Sequence, residues 1–203
     1  TDMVFDGLKS GLYIEADEAI PANVYGESKL EGERLVLKAS PDHLVARVSW
    51  VFGPARPAFP EWIIGMACKE SNLTLPEDKI CCPTYTEDLT TWLRALTVDA
   101  KEGPASGVVH LCNSGACAWR DWGQACIDDA RETGIDVMVD KIRGVPVESV
   151  TAFVAKRALN TAMDTSKFTV LTGLRPRPWQ QALREFVMQS PTLSPYKLSP
   201  QST

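Results

Sequence analysis

NVYGESKLEGERLVLKASPDHLVARVSWVF, residues 23–52, decides the fold. Asn23 to Ala39 reads as a helix, with Pro21 supplying a break just ahead of it. His43 to Phe52 is a near-continuous apolar run, the signature of a strand buried on both faces of a parallel sheet. Upstream, Thr1 to Gly7 (TDMVFDG) reads as the end of a strand running into a turn, and Gly7 to Ala22 as a loop. Strand, helix, strand implies a βαβ unit, so an α/β fold is expected.

Inside the helix, Tyr25 stands four residues before Lys29, which puts both side chains on one face and within reach of a common ligand. A phenol is a weak acid at neutral pH, and an enzyme that uses one places a cation nearby to favour the phenolate. Lys29 is the candidate cation, and the pair suits acid/base work on a carbonyl.

Further along, helices are expected over Glu61–Lys69, Thr86–Leu96, Trp119–Thr133 and Pro178–Met188. Gly134 is the stop signal after the third of these, and Pro178 sits near the first turn of the last. Short strands are expected within Leu73–Ile80, at Gly107–Cys112 and at Ile135–Val139, with a mixed segment over Gly144–Asn160. The Ser-, Pro- and Thr-rich stretch 189–203 reads as a flexible tail.

With 203 residues, 44% of them hydrophobic, the chain supports a sizeable core. A net charge of −5 argues against a sequence-independent nucleic-acid binder. No run is long enough to cross a bilayer and no signal segment is seen, so a cytoplasmic location with no membrane partner is expected. The six cysteines lie in apolar segments without a repeated Cys-x-x-Cys pair and read as reduced, mostly buried thiols. His43 and His110 have no carboxylate or second histidine at ligand spacing, so structural roles and no metal site are expected.

Seven blocks occur in one order: TDMVFDG (1–7), NVYGESKLEGE (23–33), ARVSWVFGP (46–54), PTYTEDL (83–89), GVVHLCNSG (107–115), ALNTAMDTSKF (158–168) and LRPRPWQQAL (174–183). On these the chain resembles the C-terminal two-thirds of the dTDP-4-dehydrorhamnose reductase family, extended short-chain dehydrogenase/reductases. Met3 departs from the family, which commonly has tyrosine there. The resemblance implies that Tyr25, Lys29 and Thr1 are the catalytic set. Tyr25 would protonate the 4-keto oxygen of a deoxyhexulose, Lys29 would hold the nicotinamide ribose, and Thr1 would hydrogen-bond the same oxygen or the phenol. It places Trp50 against the sugar, Asp2 beside the substrate, and Arg157 and Asn160 near the nucleotide.

The implied cofactor is NADPH or NADH, and the implied partner a nucleotide-sugar substrate, with a homodimer as a further expectation. The implied fold is the C-terminal part of a Rossmann-like doubly wound parallel sheet plus a small mixed α/β substrate-binding domain. Residues 1–53 would carry the catalytic part of the sheet domain, and 54–188 interleaved segments of both domains. The family opens on a strand, a Gly-x-x-Gly-x-x-Gly turn and a helix that holds the cofactor pyrophosphate. None of these precedes Thr1, so the sequence is read as a fragment of a longer protein, inactive and without measurable dinucleotide binding by itself. Two other readings compete with the reductase: a regulatory subunit similar to the β-subunit of methionine adenosyltransferase, and a reductase or epimerase of another nucleotide sugar.

Overall fold

The structure, a computed structural model, describes residues 1–100 and 103–196. In chain order these form α1 (Val24–Ala39), β1 (Leu44–Val48), β2 (Val51–Phe52), α2 (Phe59–Ala67), β3 (Thr74–Pro76), β4 (Ile80–Cys81) and β5 (Thr84–Tyr85). There follow α3 (Thr86–Thr97), β6 (Gly107–Leu111), β7 (Cys117–Ala118), α4 (Trp119–Glu132), β8 (Arg143–Val145), α5 (Ser166–Thr172) and α6 (Trp179–Gln189).

β1 and β6 run parallel, with Leu44 opposite Gly107 and Val48 opposite Leu111. Because strand side chains alternate between faces, Leu44, Ala46, Val48, Val109 and Leu111 pack together on Trp92 and Leu96 of α3 and Phe168 of α5. Arg47 and His110 point the other way, where Arg47 pairs with Glu33 of α1 and both rest on the Phe5 ring. A parallel pair of strands with helices on both faces fits the parallel sheet the apolar run implied and the doubly wound layout the family resemblance implied.

The rest builds a second, mixed α/β core. β2 pairs parallel with β5 and β3 parallel with β8, while β4 pairs antiparallel with β7. Against these, α2, α4 and α6 bury Ile63, Trp122, Ile127, Leu183 and Phe186. α4 ends at Gly134, whose φ of 82° is the left-handed stop expected there. All six cysteines are free thiols and five are buried. Among the described residues no helix is long and apolar enough to cross a membrane.

Several sequence expectations are corrected. Thr1 to Gly7 holds no strand; Asp2–Val4 is a turn of 3-10 helix capped by Thr1, because the buried Asp2 carboxylate bonds inward to Ser49 and Thr161. The run 43–52 is two strands, broken at Ser49–Trp50, and β1 is half-buried except at Arg47 because β6 is its one strand partner among the described residues. Ile135–Val139 forms no strand; its amides bond to helix ends instead, Ile135 to the Ala130 carbonyl and Met138 to the Ala67 carbonyl. α5 was not expected at all. The stretch 190–196 is not loose: Leu193 is fully buried and Thr192 donates to Glu61 at 2.9 Å, while 197–203 lie outside the described residues.

Candidate active site

Asn23 organises the start of α1. Its side-chain oxygen accepts from the Gly26 amide at 3.0 Å, the ordinary cap of a helix N-terminus, and its amide nitrogen donates to the Lys156 carbonyl at 3.0 Å. One residue thereby starts the helix and ties it to the segment that carries Arg157.

Tyr25 is 54% exposed and therefore open to a ligand. Lys29 is exposed beside it, its Nζ 5.5 Å from the centre of the Tyr25 ring, as the four-residue spacing predicts. Gly26 seats this pair against the first residues of the chain. A Cβ at Gly26 would stand 2.2 Å from the Met3 carbonyl oxygen and 2.7 Å from the Pro21 side chain, so only glycine allows α1 to approach so closely. In that turn the Thr1 hydroxyl donates to Asp2 Oδ1 and accepts from the Met3 amide, both at 3.3 Å.

Asp2 carries the connection onward. Its Oδ2 accepts from Ser49 Oγ at 2.9 Å and from Thr161 Oγ1 at 2.8 Å. Ser49 precedes Trp50, whose φ of 42° is a left-handed conformation that bulky side chains rarely adopt. The turn is held from β5 and its flank: Thr84 Oγ1 donates to the Ser49 carbonyl at 2.5 Å, and the Thr84 amide to the Trp50 carbonyl at 3.2 Å.

The strained turn puts the Trp50 indole on the wall of a cleft of about 640 Å³, edge-on to Trp119 with ring centres 4.4 Å apart. Phe59, Trp62, Arg143, Phe153 and Arg157 line the same cleft. The Arg157 guanidinium lies 4.9 Å from the centre of the Phe153 ring, and its buried Nε has no hydrogen-bond partner among the described residues. An aromatic cleft with an unsatisfied guanidinium suits a flat ring joined to an anionic group.

The structure thus pairs Tyr25 with Lys29 on the helix whose Gly26 packs on the turn that begins at Thr1, and places Trp50 and Arg157 around one cleft. Asp2 is different: at 3% exposure it is an internal brace for Thr1 and Ser49, not a group facing the cleft. Asn160 also has another task. Its Nδ2 donates to the Lys9 and Gly11 carbonyls at 2.8 and 2.7 Å, and its Oδ1 accepts from the Ala162 amide at 3.0 Å, so it pins the loop after Gly7. Sequence reasoning missed Asn23, Arg143 and Phe153. A polar residue just ahead of a helix was a readable signal for Asn23; the others are named only by long-range contacts.

The family model described as the RmlD substrate binding domain matches residues 1–191. The chain belongs to this family. Among curated relatives of this RmlD-family chain, the dTDP-4-dehydrorhamnose reductase of Aggregatibacter actinomycetemcomitans is 33% identical over 186 residues, covering 91% of this chain and 63% of the relative. That of Escherichia coli K12 is 30% identical over 188 residues, covering 92% and 62%. A solved dTDP-4-dehydrorhamnose reductase from Clostridium acetobutylicum superposes with a TM-score of 0.81 at 27% identity, over 92% of this chain and 62% of that one. The RmlD-family chain therefore spans less than two thirds of the relatives it matches.

Proposed function

We propose that the intact protein reduces the 4-keto group of dTDP-4-dehydro-6-deoxy-L-mannose to give dTDP-L-rhamnose, with NADPH or NADH as reductant. The observation that carries this reading is the seating of the exposed Tyr25–Lys29 pair on the Thr1 turn through Gly26. The relatives' being dTDP-4-dehydrorhamnose reductases supports it.

For the cofactor, the chain offers one side of a site: an exposed ammonium and phenol on adjoining turns of α1, a donor set that fits ribose hydroxyls and a reacting carbonyl. Lys29 would hold the ribose. When bound, the cofactor supplies a hydride to the sugar C4. Tyr25 gives its hydroxyl proton to the sugar O4 as negative charge develops there, so the carbonyl gains one hydride and one proton and becomes an alcohol. The Thr1 hydroxyl, held at 3.3 Å from Asp2, exchanges that long bond for one to the same oxygen and stabilises it where the charge appears.

The cleft beside Trp50 takes the nucleotide sugar in this reading, the indole packing on the sugar and Arg157 answering the diphosphate. Residues 1–53 act as the catalytic part of the sheet domain, and 54–188 carry the cleft while returning β6 and α5 to the sheet. The test is turnover of dTDP-4-dehydro-6-deoxy-L-mannose, generated in situ, by the intact protein. Oxidation of the reduced nicotinamide with dTDP-L-rhamnose as product is expected. No turnover of this sugar alongside turnover of a different nucleotide sugar would contradict the substrate assignment.

A further inference from the structure

β4 and β7 run antiparallel with Cys81 directly opposite Cys117. The Trp119 amide donates to the Lys79 carbonyl at 3.1 Å, which makes Ile80 and Ala118 the pair without mutual hydrogen bonds and Cys81 and Cys117 the pair that exchanges them. Opposed side chains leave such a ladder on one face, from α-carbons about 5.5 Å apart. A disulfide spans α-carbons about 4.4–6.8 Å apart, so a bond between these two sulfurs is within reach. Both are free thiols in the core built on α2, α4 and α6, Cys81 with no exposed surface and Cys117 7% exposed. Burial, and after it the hydrogen-bonding contact with Cys117, hold the Cys81 thiol well above its ordinary range. Cys117 is the sulfur that a small solute meets first.

The two strands lead to opposite walls of the cleft. Ala118 stands at the N-cap of α4, and the next residue is Trp119, edge-on to Trp50. On the other strand the Ile80 amide donates to the Leu159 carbonyl at 2.7 Å, and the Ile80 carbonyl accepts from the Thr161 amide at 3.0 Å. These bonds hold the stretch that follows Arg157. Opposed β-carbons lie about 4.5–5.5 Å apart in a ladder and about 3.8 Å apart in a disulfide. Closing the bond therefore draws the strands together by about 1 Å and moves Trp119 against the segment of Arg157.

We propose that Cys81 and Cys117 form a site of reversible oxidation by hydrogen peroxide, and that the disulfide between them weakens nucleotide-sugar binding in the cleft. Cys117 sulfur attacks one peroxide oxygen: an S–O bond forms, the O–O bond breaks, and the thiol proton leaves with the other oxygen as water. Cys81 sulfur then attacks Cys117 sulfur, the S–S bond forms as the S–O bond breaks, and the departing hydroxyl takes the Cys81 proton as a second water. Each sulfur gives up one electron and the two peroxide oxygens accept them. A dithiol reverses the change by exchange. The effect on binding rests on the reading of the cleft as the nucleotide-sugar site; the bond itself does not.

The rival pair is Cys82 with Cys112, whose sulfurs lie 3.9 and 3.8 Å from one Met163 carbonyl oxygen. The test treats the intact parent, Cys117→Ala and Cys82→Ala with hydrogen peroxide, removes it, and reads disulfide-linked peptides by mass spectrometry of an unreduced digest alongside steady-state turnover. The parent and Cys82→Ala are expected to form the bond and Cys117→Ala to form none. In the oxidised parent KM for the nucleotide sugar is expected to rise about tenfold and to return with dithiothreitol, while Cys117→Ala keeps one KM throughout. No disulfide in the parent, or one that persists in Cys117→Ala and vanishes in Cys82→Ala, overturns the site. A bond between Cys81 and Cys117 with KM unmoved overturns the coupling to the cleft. If Cys117→Ala does not fold, Cys117→Ser takes its place under the same criteria. If the reduced parent shows no reductase turnover, the functional reading falls, and the digest alone decides whether the pair oxidises.

Discussion

Gly26 shows how much of a site can hang on a missing side chain. Substituting alanine would normally favour a helix interior by about 1 kcal/mol. Here the added methyl would meet the Met3 carbonyl at 2.2 Å, a contact that cannot form without moving α1. Gly26→Ala is therefore expected to destabilise the fold by about 1–3 kcal/mol in a denaturant titration and to lower turnover sharply by separating Tyr25 from Thr1. Unchanged stability would contradict the close approach. Asp129 on α4 gives a pH test of the packing. Burial pushes its carboxyl up to about 6, with Arg184 opposing the shift. A carboxyl raised in the folded state favours folding fully below its ordinary value of 3.8, and that contribution is lost as pH rises through about 6. Asp129→Asn is thus expected to stabilise the fold near neutral pH by on the order of 1 kcal/mol, after allowing for the water that still reaches a half-buried group. The gain should vanish in acid; a difference independent of pH would contradict the shift. At this scale the sequence showed the Tyr25–Lys29 pair, because helical spacing is local. It did not show the task of Asn160, whose three hydrogen bonds go to main-chain groups of Lys9, Gly11 and Ala162.

Among the elements, α1, α3, α4 and α6 were legible because each has a long amphipathic period and a clear start or stop. The run 43–52 was legible as extended chain but not as two strands, since the break at Ser49–Trp50 is made by Thr84 and Asp2, both remote in sequence. Ile135–Val139 has strand composition, yet its amides bond to helix ends, an outcome that composition cannot predict. Composition also misled over the residues after α6, where Pro191–Tyr196 forms a 3-10 turn. Leu193 in that turn is fully buried in the core built on α2, α4 and α6. Leu193→Ala is accordingly expected to cost about 2–4 kcal/mol, read as a lowered denaturation midpoint. A change below about 0.5 kcal/mol would show the turn to be dispensable.

Across the whole molecule, the sheet half and the cleft half meet at Asp2 and Ser49. One side of that junction carries the exposed Tyr25 and Lys29, the other the cleft of Trp50 and Arg157. The α/β class and the membership of the RmlD family were readable from seven ordered blocks. The internal braces were not, because nothing next to Lys79 in the sequence points to Thr161, 82 positions away, to which its buried ammonium donates. The reading as a reductase depends most on Tyr25 as the proton donor. Tyr25→Phe keeps the ring and removes only the hydroxyl, so the decisive measurement is steady-state turnover of dTDP-4-dehydro-6-deoxy-L-mannose by the intact parent and this variant. Loss of turnover by about 100-fold or more, with KM close to the parent's, is the expected result. Turnover equal to the parent's would contradict the role given to Tyr25 and, with it, the mechanism.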